Sequence, residues 1–545
     1  MDTRRLILFV IFSFSTMLLW NAWMSKETLP NKTAAQTPSN AGTLPSAPST
    51  SASGTDALDH GKFKLESAQR ILINTDLYQA EIDTAGGDLR RLVLNKHRAS
   101  ESADSNFVLM DDAEKPMLYI AQTGLLGADL PNHKTIFTSA SQSYQLTDGS
   151  DSLEVRLSWS GNGVSVDKVY TFHRNQYLID VRYEITNGGS TAISPSVYYQ
   201  LLHDNQSNQG SKMMPTFTGG AYFTNEKKFN KINFADMAKQ DFSLTSPDGW
   251  AGIIQHYFAG AWIVKEGINR EFYTKKLSNQ VFSVGVVTKV SDIAAGSKAV
   301  VDAKLFAGPQ TERDLVAAAP GLEYAVDYGW LTVIAKPLFW LLSKIHSFVG
   351  NWGVAIILLT VLIKAAFFRL SASSYRSMAQ MRELAPRLQA MKEKFGDDRQ
   401  KMQQAMLELY RTEKINPMGG CLPILVQIPV FIALYWVLLG SVELRHAPFF
   451  GWIKDLSATD PLYILPLLMG ISMIIQTYLN PAPTDPIQAK MMKIMPVVFS
   501  IFFFFFPAGL VLYWLVNNIL SIWQQWYINK IIHAETLAKK GSGKR

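Results

Sequence analysis

The sequence predicts a helical membrane protein with six transmembrane helices and one large all-β domain outside the membrane. Three observations predict it. Leu6–Met24 and five further apolar stretches between Trp352 and Ile528 have membrane-spanning character. The region between them repeats apolar and polar residues with the period of two of half-buried strands. When the spans are threaded in order, the Lys/Arg-rich segments fall on one side. Composition agrees, because 48% of the 545 residues are hydrophobic and 18% charged, below the ~25% of a typical soluble domain, with a net charge of +7. A purely soluble enzyme does not fit. Cys421 is the single cysteine, which excludes an internal disulfide and Cys₄-type zinc or iron–sulfur sites.

Residues 1–26 form the first element, an anchor whose apolar run Leu6–Met24 follows Arg4 and Arg5. A cleavable signal peptide is the rival reading. Its apolar region is ordinarily shorter, and Trp20 and Trp23 crowd the position where small residues would mark cleavage. Arg4 and Arg5 place the amino terminus in the cytoplasm and send the next segment outward. Residues 27–60, rich in Ser, Thr, Pro, Ala and Asn, bury too little surface to offset chain entropy and read as a tether.

Residues 61–321 read as a β-sandwich. Tyr177, Ile179, Val181, Tyr183 and Ile185 alternate with Asp180, Arg182, Glu184 and Thr186, and Asn187-Gly188-Gly189 closes the run. Leu153, Val155, Leu157 and Trp159 repeat the pattern, punctuated by Gly86-Gly87, Asp148-Gly149 and Gly161-Asn162-Gly163. Residues 322–351 contain Leu331–Phe348, apolar but interrupted by Lys336, Pro337, Lys344 and His346, as expected of an interfacial helix.

Residues 352–530 hold the remaining spans, predicted at Trp352–Phe368, Pro423–Gly440, Leu462–Leu479, Ile494–Phe506 and Leu510–Ile528, the fourth of them short. Between the first two of these, the segment 371–416 carries nine Lys/Arg against six Asp/Glu. Its stripe of Met378, Met381, Leu384, Leu388, Met391 and Phe395, then Met402, Met406, Leu409 and Tyr410, predicts a helical hairpin. Asp397 or Asp398 is placed to cap the second helix, and Pro386 to kink the first or mark its start. The basic tail 531–545 follows, and six crossings put both basic segments and both termini inside.

Catalytic constellations are thin. No Gly-rich phosphate loop and no HExxH occurs, so no cofactor and no metal is expected. The unusual residue is Lys364 in an otherwise apolar span, where a central charge costs about 2.5–3.5 kcal/mol on insertion scales. Two readings stay open at this point, a lysine snorkelling to the headgroups beside Arg369 or one facing a water-filled cavity. Thr360, Gln427, Asn517, Asn518, Gln524 and Gln525 add polar groups to the surrounding spans, with interhelical hydrogen bonding as their simpler role. Pro423 and Pro429 flank Gln427 and are expected to loosen that helix. The run Phe502–Phe506 reads as lipid-facing or packed apolar surface.

The run from Asn416 to Phe431, Asn-Pro-Met-Gly-Gly-Cys-Leu-Pro-Ile-Leu-Val-Gln-Ile-Pro-Val-Phe, carries a resemblance. It resembles the YidC membrane protein insertase family of the Oxa/Alb type, through Asn416, Pro417, Gly420, Cys421, Pro423, Gln427 and Pro429. His346-Ser347-Phe348-Val349-Gly350-Asn351-Trp352-Gly353 and Pro507-Ala508-Gly509-Leu510-Val511-Leu512-Tyr513 resemble it too. The layout is similar to the Gram-negative branch, which implies a periplasmic β-supersandwich over residues 61–321 and an insertase core of five helices.

The resemblance implies a membrane insertase and chaperone of the inner membrane. It would take nascent and newly made membrane proteins, alone or with the Sec translocon, into a hydrophilic groove open to cytoplasm and lipid. Lys364 occupies the position of the family's groove cation, which is arginine in many relatives. Thr360, Gln427, Asn517 and Trp514 are the further groove candidates, with Trp514 standing where tyrosine is common and Arg369 where proline is. The hairpin is the expected substrate receiver, and the basic tail suits ribosomal RNA or anionic membrane lipids equally.

Two other classes compete. A small-solute transporter would explain polar spans but ordinarily shows repeated halves, which this chain lacks. A membrane-anchored sugar-active enzyme would use His97, His133, His173, His203 and His256 of the β domain, where isolated histidines are mostly structural or exposed.

Overall fold

The computed structural model describes residues 65–542 except 101–103, 114–117, 207–215, 279, 396–397, 414–421 and 480–485. The anchor, the tether and, within the motif, Asn416, Pro417, Gly420 and Cys421 lie outside the described residues. The chain divides into two compact units, with the boundary between Val326 and Asp327.

The first unit is all-β, with strands from Arg70 to Pro309 arranged as a ten-stranded and a nine-stranded sheet. Pairing is antiparallel apart from Arg70–Asn74 beside Ser143–Gln145. The alternation of the sequence decides which face is buried. Along Leu178–Asn187 the side chains of Ile179, Val181, Tyr183 and Ile185 are fully buried, while Asp180, Arg182 and Glu184 face outward half-exposed. They join Tyr199, Leu201, Val284 and Val286 of the other sheet in one core, where each large apolar side chain is worth about 1.5–3 kcal/mol. Asn162 and Gly163, both at positive φ, make the two-residue turn between Ser152–Gly161 and Val164–His173 that the Gly-Asn-Gly sequence announces.

One lysine breaks the pattern. Lys168 points into the sandwich among Val166, Tyr170 and Phe172 and is fully buried. Its Nζ donates to the carbonyls of Gly86 (3.0 Å) and Thr123 (3.1 Å) and lies 3.8 Å from Asp88 Oδ1. Asp88 in turn accepts from Gln122 Nε2 at 2.8 Å and from Arg90 Nη2 at 3.3 Å. Burial pushes the Asp88 carboxyl up and the Lys168 ammonium down from their ordinary values.

The second unit is helical. Its described helices are α1 (Thr332–Val349), α2 (Trp352–Ala366), α3 (Phe368–Phe395), α4 (Arg399–Thr412), α5 (Leu422–Gly440), α6 (Ile464–Leu479), α7 (Pro486–Phe503) and α8 (Ala508–Ser542). The motif residues around 350 explain the α1–α2 junction. Gly350, at φ +68°, ends α1 in the left-handed conformation, and Asn351 caps α2 by accepting from Val354 N at 3.0 Å. A Cβ on Gly353 would sit 2.1 Å from the Phe449 ring, so only glycine admits that contact.

Several predicted boundaries move. Helix α2 stops at Ala366, and α3 leaves it at 65°, a break that the unbroken apolar run through Phe368 did not reveal. Helix α3 passes through Pro386, so that proline does not mark its start, and Asp398 Oδ1 caps α4 by accepting from Lys401 N, while Asp397 lies outside the described residues. Pro423 is the second described residue of α5, and Pro429 lies in its interior. Helix α7 begins eight residues before the predicted Ile494 and ends at Phe503, because the Lys490 and Lys493 turns are helical though not apolar. Helix α8 runs beyond Ile528 to Ser542, there being no Gly or Pro in between to stop it before Gly541.

Among the described residues no single helix is long and apolar enough to cross a membrane, and the bent α2–α3 pair passes that test together. Helix α8 packs against α6, α2, α3 and α5, while α1 packs on α5 and α2. Large apolar side chains stay exposed on the outward faces, among them Leu362 on α2, Ile471 on α6, Ile501 and Phe502 on α7 and Ile519 on α8. Phe503, by contrast, is buried.

Candidate functional site in the helical unit

The site grows from one face of α8. Asn517, Asn518, Ser521, Gln524 and Gln525 are spaced by one, three, three and one residues, which aligns them as a stripe on a 3.6-residue helix. All but the half-buried Asn517 are buried. Such groups in an apolar surround need partners, and the helices around α8 supply them.

Two of the five tie α8 to α6. Asn518 Nδ2 donates to Ser472 Oγ at 3.2 Å, and Gln525 Nε2 donates to the Leu479 carbonyl at 3.1 Å. These are the interhelical bonds that the simpler reading expects. The rest turn toward α2 and α5. Lys364, in the last turn of α2 and only 7% exposed, donates from Nζ to Ser521 Oγ at 2.7 Å. Ser521 Oγ donates to the Asn517 carbonyl at 2.7 Å, and Gln427 Nε2 of α5 donates to Asn517 Oδ1 at 2.6 Å. Gln524 Nε2 lies 3.4 Å from the Lys364 carbonyl, while its buried Oε1 has no protein partner among the described residues. A buried acceptor left that way costs about 1–3 kcal/mol unless something else meets it.

The structure therefore links Lys364, Gln427 and Asn517 through Ser521. It does not bring Thr360 or Trp514 into that chain. Thr360 Oγ1 bonds back to the Ile356 carbonyl of its own helix at 2.6 Å. Trp514 packs edge-on against Phe431 (ring centroids 4.4 Å apart) and beside Phe503 (5.0 Å). Ser521 is the residue that sequence reasoning missed, although its place in the polar stripe was a signal. Lys364 does not snorkel outward, since its ammonium is held inside by Ser521, whereas Arg369 is exposed. Among the described residues no carboxylate lies within ion-pairing distance of Lys364, and no group of His, Cys, Asp and Glu is placed to hold a metal.

On the side toward the 441–461 loop the helices are tied down. Ala508 N donates to the Ala458 carbonyl at 2.7 Å and Gly509 N to the Leu456 carbonyl at 2.9 Å. Asp460 caps α6 by accepting from Leu465 N at 2.7 Å and also accepts from Trp452 Nε1 at 3.0 Å. The histidines of the β unit have separate partners. His133 Nδ1 meets the Tyr198 hydroxyl, His173 meets Asp180, His203 meets Gln255, and the rings of His97 and His256 lie against Phe258 and Tyr257.

Comparison with known proteins covers both units. Residues 70–341 match the family described as the YidC periplasmic domain, and residues 344–535 the family described as 60Kd inner membrane protein. The membrane protein insertase YidC of Methylobacillus flagellatus is 63% identical over 100% of both chains. That of Nitrosospira multiformis is 51% identical over 98% of each. A solved structure of an active YidC insertase with its first transmembrane domain resolved matches 85% of this chain and 93% of its own, at 20% identity and a TM-score of 0.39. With full-length identity to such relatives and family matches across both units, the chain belongs to the YidC membrane protein insertase family.

Proposed function

We propose that the chain inserts newly made inner-membrane proteins into the bilayer through a hydrophilic groove whose working charge is Lys364. The observation that carries this is a buried lysine whose hydrogen-bond partner among the described residues is a neutral hydroxyl, Ser521, in a bundle of helices with apolar outer faces. A hydrophobic segment gains free energy on entering lipid, so the barrier lies in moving its polar or acidic flank. Lys364 attracts that flank, Gln427 and Asn517 offer it polar contacts, and nothing covalent is required. The hydrogen-bonded 441–461 and 507–509 segments close the groove on the outer side.

The six-span topology belongs to the same proposal, with the anchor 1–26, the tether 27–60, the periplasmic domain 61–321, the interfacial region 322–351, the core 352–530 and the tail 531–545. Helices shorter than the ~30 Å hydrocarbon layer span it where neighbours and local thinning accommodate them. The exposed apolar faces of α2, α6, α7 and α8 support lipid contact there. Residues 27–350 then lie in the periplasm and both termini in the cytoplasm. The motif Asn416, Pro417, Gly420, Cys421, Pro423, Gln427 and Pro429 shapes the entry of the third span. Thr360 and Trp514 serve as walls of the groove rather than as its polar contacts. The hairpin 371–416 receives substrate, the tail meets the ribosome or anionic lipid, and the Sec translocon shares larger substrates.

The test is reconstitution of the purified chain in liposomes with a short, acidic-tailed, single-span substrate, scored by protease protection. Insertion above empty liposomes, lost with Lys364→Ala and kept with Lys364→Arg, is the expected result. No gain over empty liposomes overturns the reading.

A further inference from the structure

Resting on that insertion reading, we propose that Ser521 is a positioning residue. Its hydroxyl holds the Lys364 ammonium in the groove without neutralising it, and so sets the preference for substrates with an acidic flank over otherwise identical neutral ones.

The direction of the hydrogen bonds is forced. Ser521 lies one turn after Asn517 on α8, and its Oγ is 2.7 Å from the Asn517 carbonyl, which can only accept. The hydroxyl proton therefore goes to that carbonyl. The remaining lone pairs of Oγ are left for Lys364 Nζ at 2.7 Å, which can only donate. A serine hydroxyl that is ordinarily a free rotor is thus fixed as an acceptor for the lysine.

The neutrality of the partner matters as much as its position. An ammonium carries three protons, and Ser521 takes one. With no carboxylate within ion-pairing distance among the described residues, the charge and the other two protons stay available to a substrate carboxylate. A charge-assisted bond of that kind is stronger than a neutral one and is what discriminates an Asp from an Asn in the flank. Without the hydroxyl, the flexible four-carbon stem is free to snorkel away to the headgroups.

Ser521 also sits where α8 meets both sides of the α2–α3 bend. Gln524 Nε2, one turn on, reaches the Lys364 carbonyl before the bend, and the Tyr375 hydroxyl after it lies 3.5 Å from the Ser521 carbonyl. The lysine is therefore held through its backbone and its ammonium by adjacent turns of one helix.

The experiment uses the full chain in liposomes and two single-span substrates identical except for Asp or Asn in the translocated flank. The readout is the ratio of their protease-protected fractions. The wild type is expected to favour Asp. Ser521→Thr, which keeps a hydroxyl on the same Cβ, is expected to retain the ratio. Ser521→Ala should lower it about three- to tenfold. Ser521→Asp, which places a carboxylate against Lys364, should bring it to about one. A ratio that stays at the wild-type value in the Ala and Asp variants overturns the inference, and so does a proportional fall of both substrates. Failure of the wild type to insert either substrate above empty liposomes instead overturns the insertion reading itself.

Discussion

Lys168 and Lys364 are both buried lysines, one between the sheets of the β unit and one among the helices, and the chain provides for them in opposite ways. Lys168 has two backbone carbonyls as acceptors and a carboxylate 3.8 Å away that balances its charge. Among the described residues Lys364 has one neutral hydroxyl. A buried charge that faces an opposite charge serves the fold. One that is held but left uncompensated is costly to keep and is available to something that arrives later.

The contrast is sharpest under substitution. Lys168→Ala leaves the buried Gly86 and Thr123 carbonyls without their donor and takes from Asp88 one of its two nearby cations, and is expected to destabilise the β unit by about 3–5 kcal/mol. Urea-dependent hydrogen exchange of the buried strand Ser196–Asp204 in the purified chain reads this directly. Lys364→Met removes a buried charge that has no ionic partner among the described residues, so the helical unit should keep or gain thermal stability even as insertion is lost. Equal destabilisation by the two substitutions would erase the distinction.

Acid tests the β unit next. Burial pushes His133 and His203 down to about 4, from an ordinary 6.5. Below pH 6.5 the unfolded chain takes up protons that the folded chain refuses until about pH 4. Stability is therefore lost as pH falls through that window, by up to about 3 kcal/mol for each histidine. Asp88, with its carboxyl pushed up, works in the opposite sense, its contribution fading as pH rises. The comparison that isolates the histidine is wild type against His133→Gln, whose unfolding free energy should slope less between pH 6.5 and 4. Identical slopes would remove His133 from the account.

Smaller effects are expected at the helix contacts. Gln427→Leu leaves Asn517 Oδ1 without its donor and should lower the unfolding midpoint by an amount equivalent to about 1–2 kcal/mol, while weakening insertion. Asp460→Ala removes the α6 cap and the Trp452 contact on the outer side and should cost about 1 kcal/mol. A loss of acidic-flank preference in Asp460→Ala would show that the groove charge and the outer loop are not separable.

What was legible in the sequence follows from how local each cause is. The strand alternation at Ile179–Ile185 and the Asn162-Gly163 turn are decided within a few residues, and both stand as read. Lys364 is visible because a charge in an apolar run is anomalous wherever it lies. Ser521 was passed over because a serine in a helix is unremarkable until its neighbour is known, and that neighbour is 157 residues away in sequence. Lys168 was missed for the same reason, since alternation assigns its position to the core while its residue type argues for the surface. The break at Phe367 has no Gly or Pro to announce it. The helices on both sides of it pack on α8, and hydropathy does not register such tertiary contacts. The early start of α7 and the extension of α8 show the converse, helical sequence that is not apolar and so fell outside a search for spans.

The measurement that bears most directly on the account is the dependence of insertion on acidic charge in the substrate. Liposomes holding wild type or Lys364→Met would be offered single-span substrates with zero, one or two Asp residues in the translocated flank. Insertion that rises with each Asp in the wild type and is flat in Lys364→Met is the expected result. The same rise in both would contradict the claim that Lys364 is the charge that receives the flank.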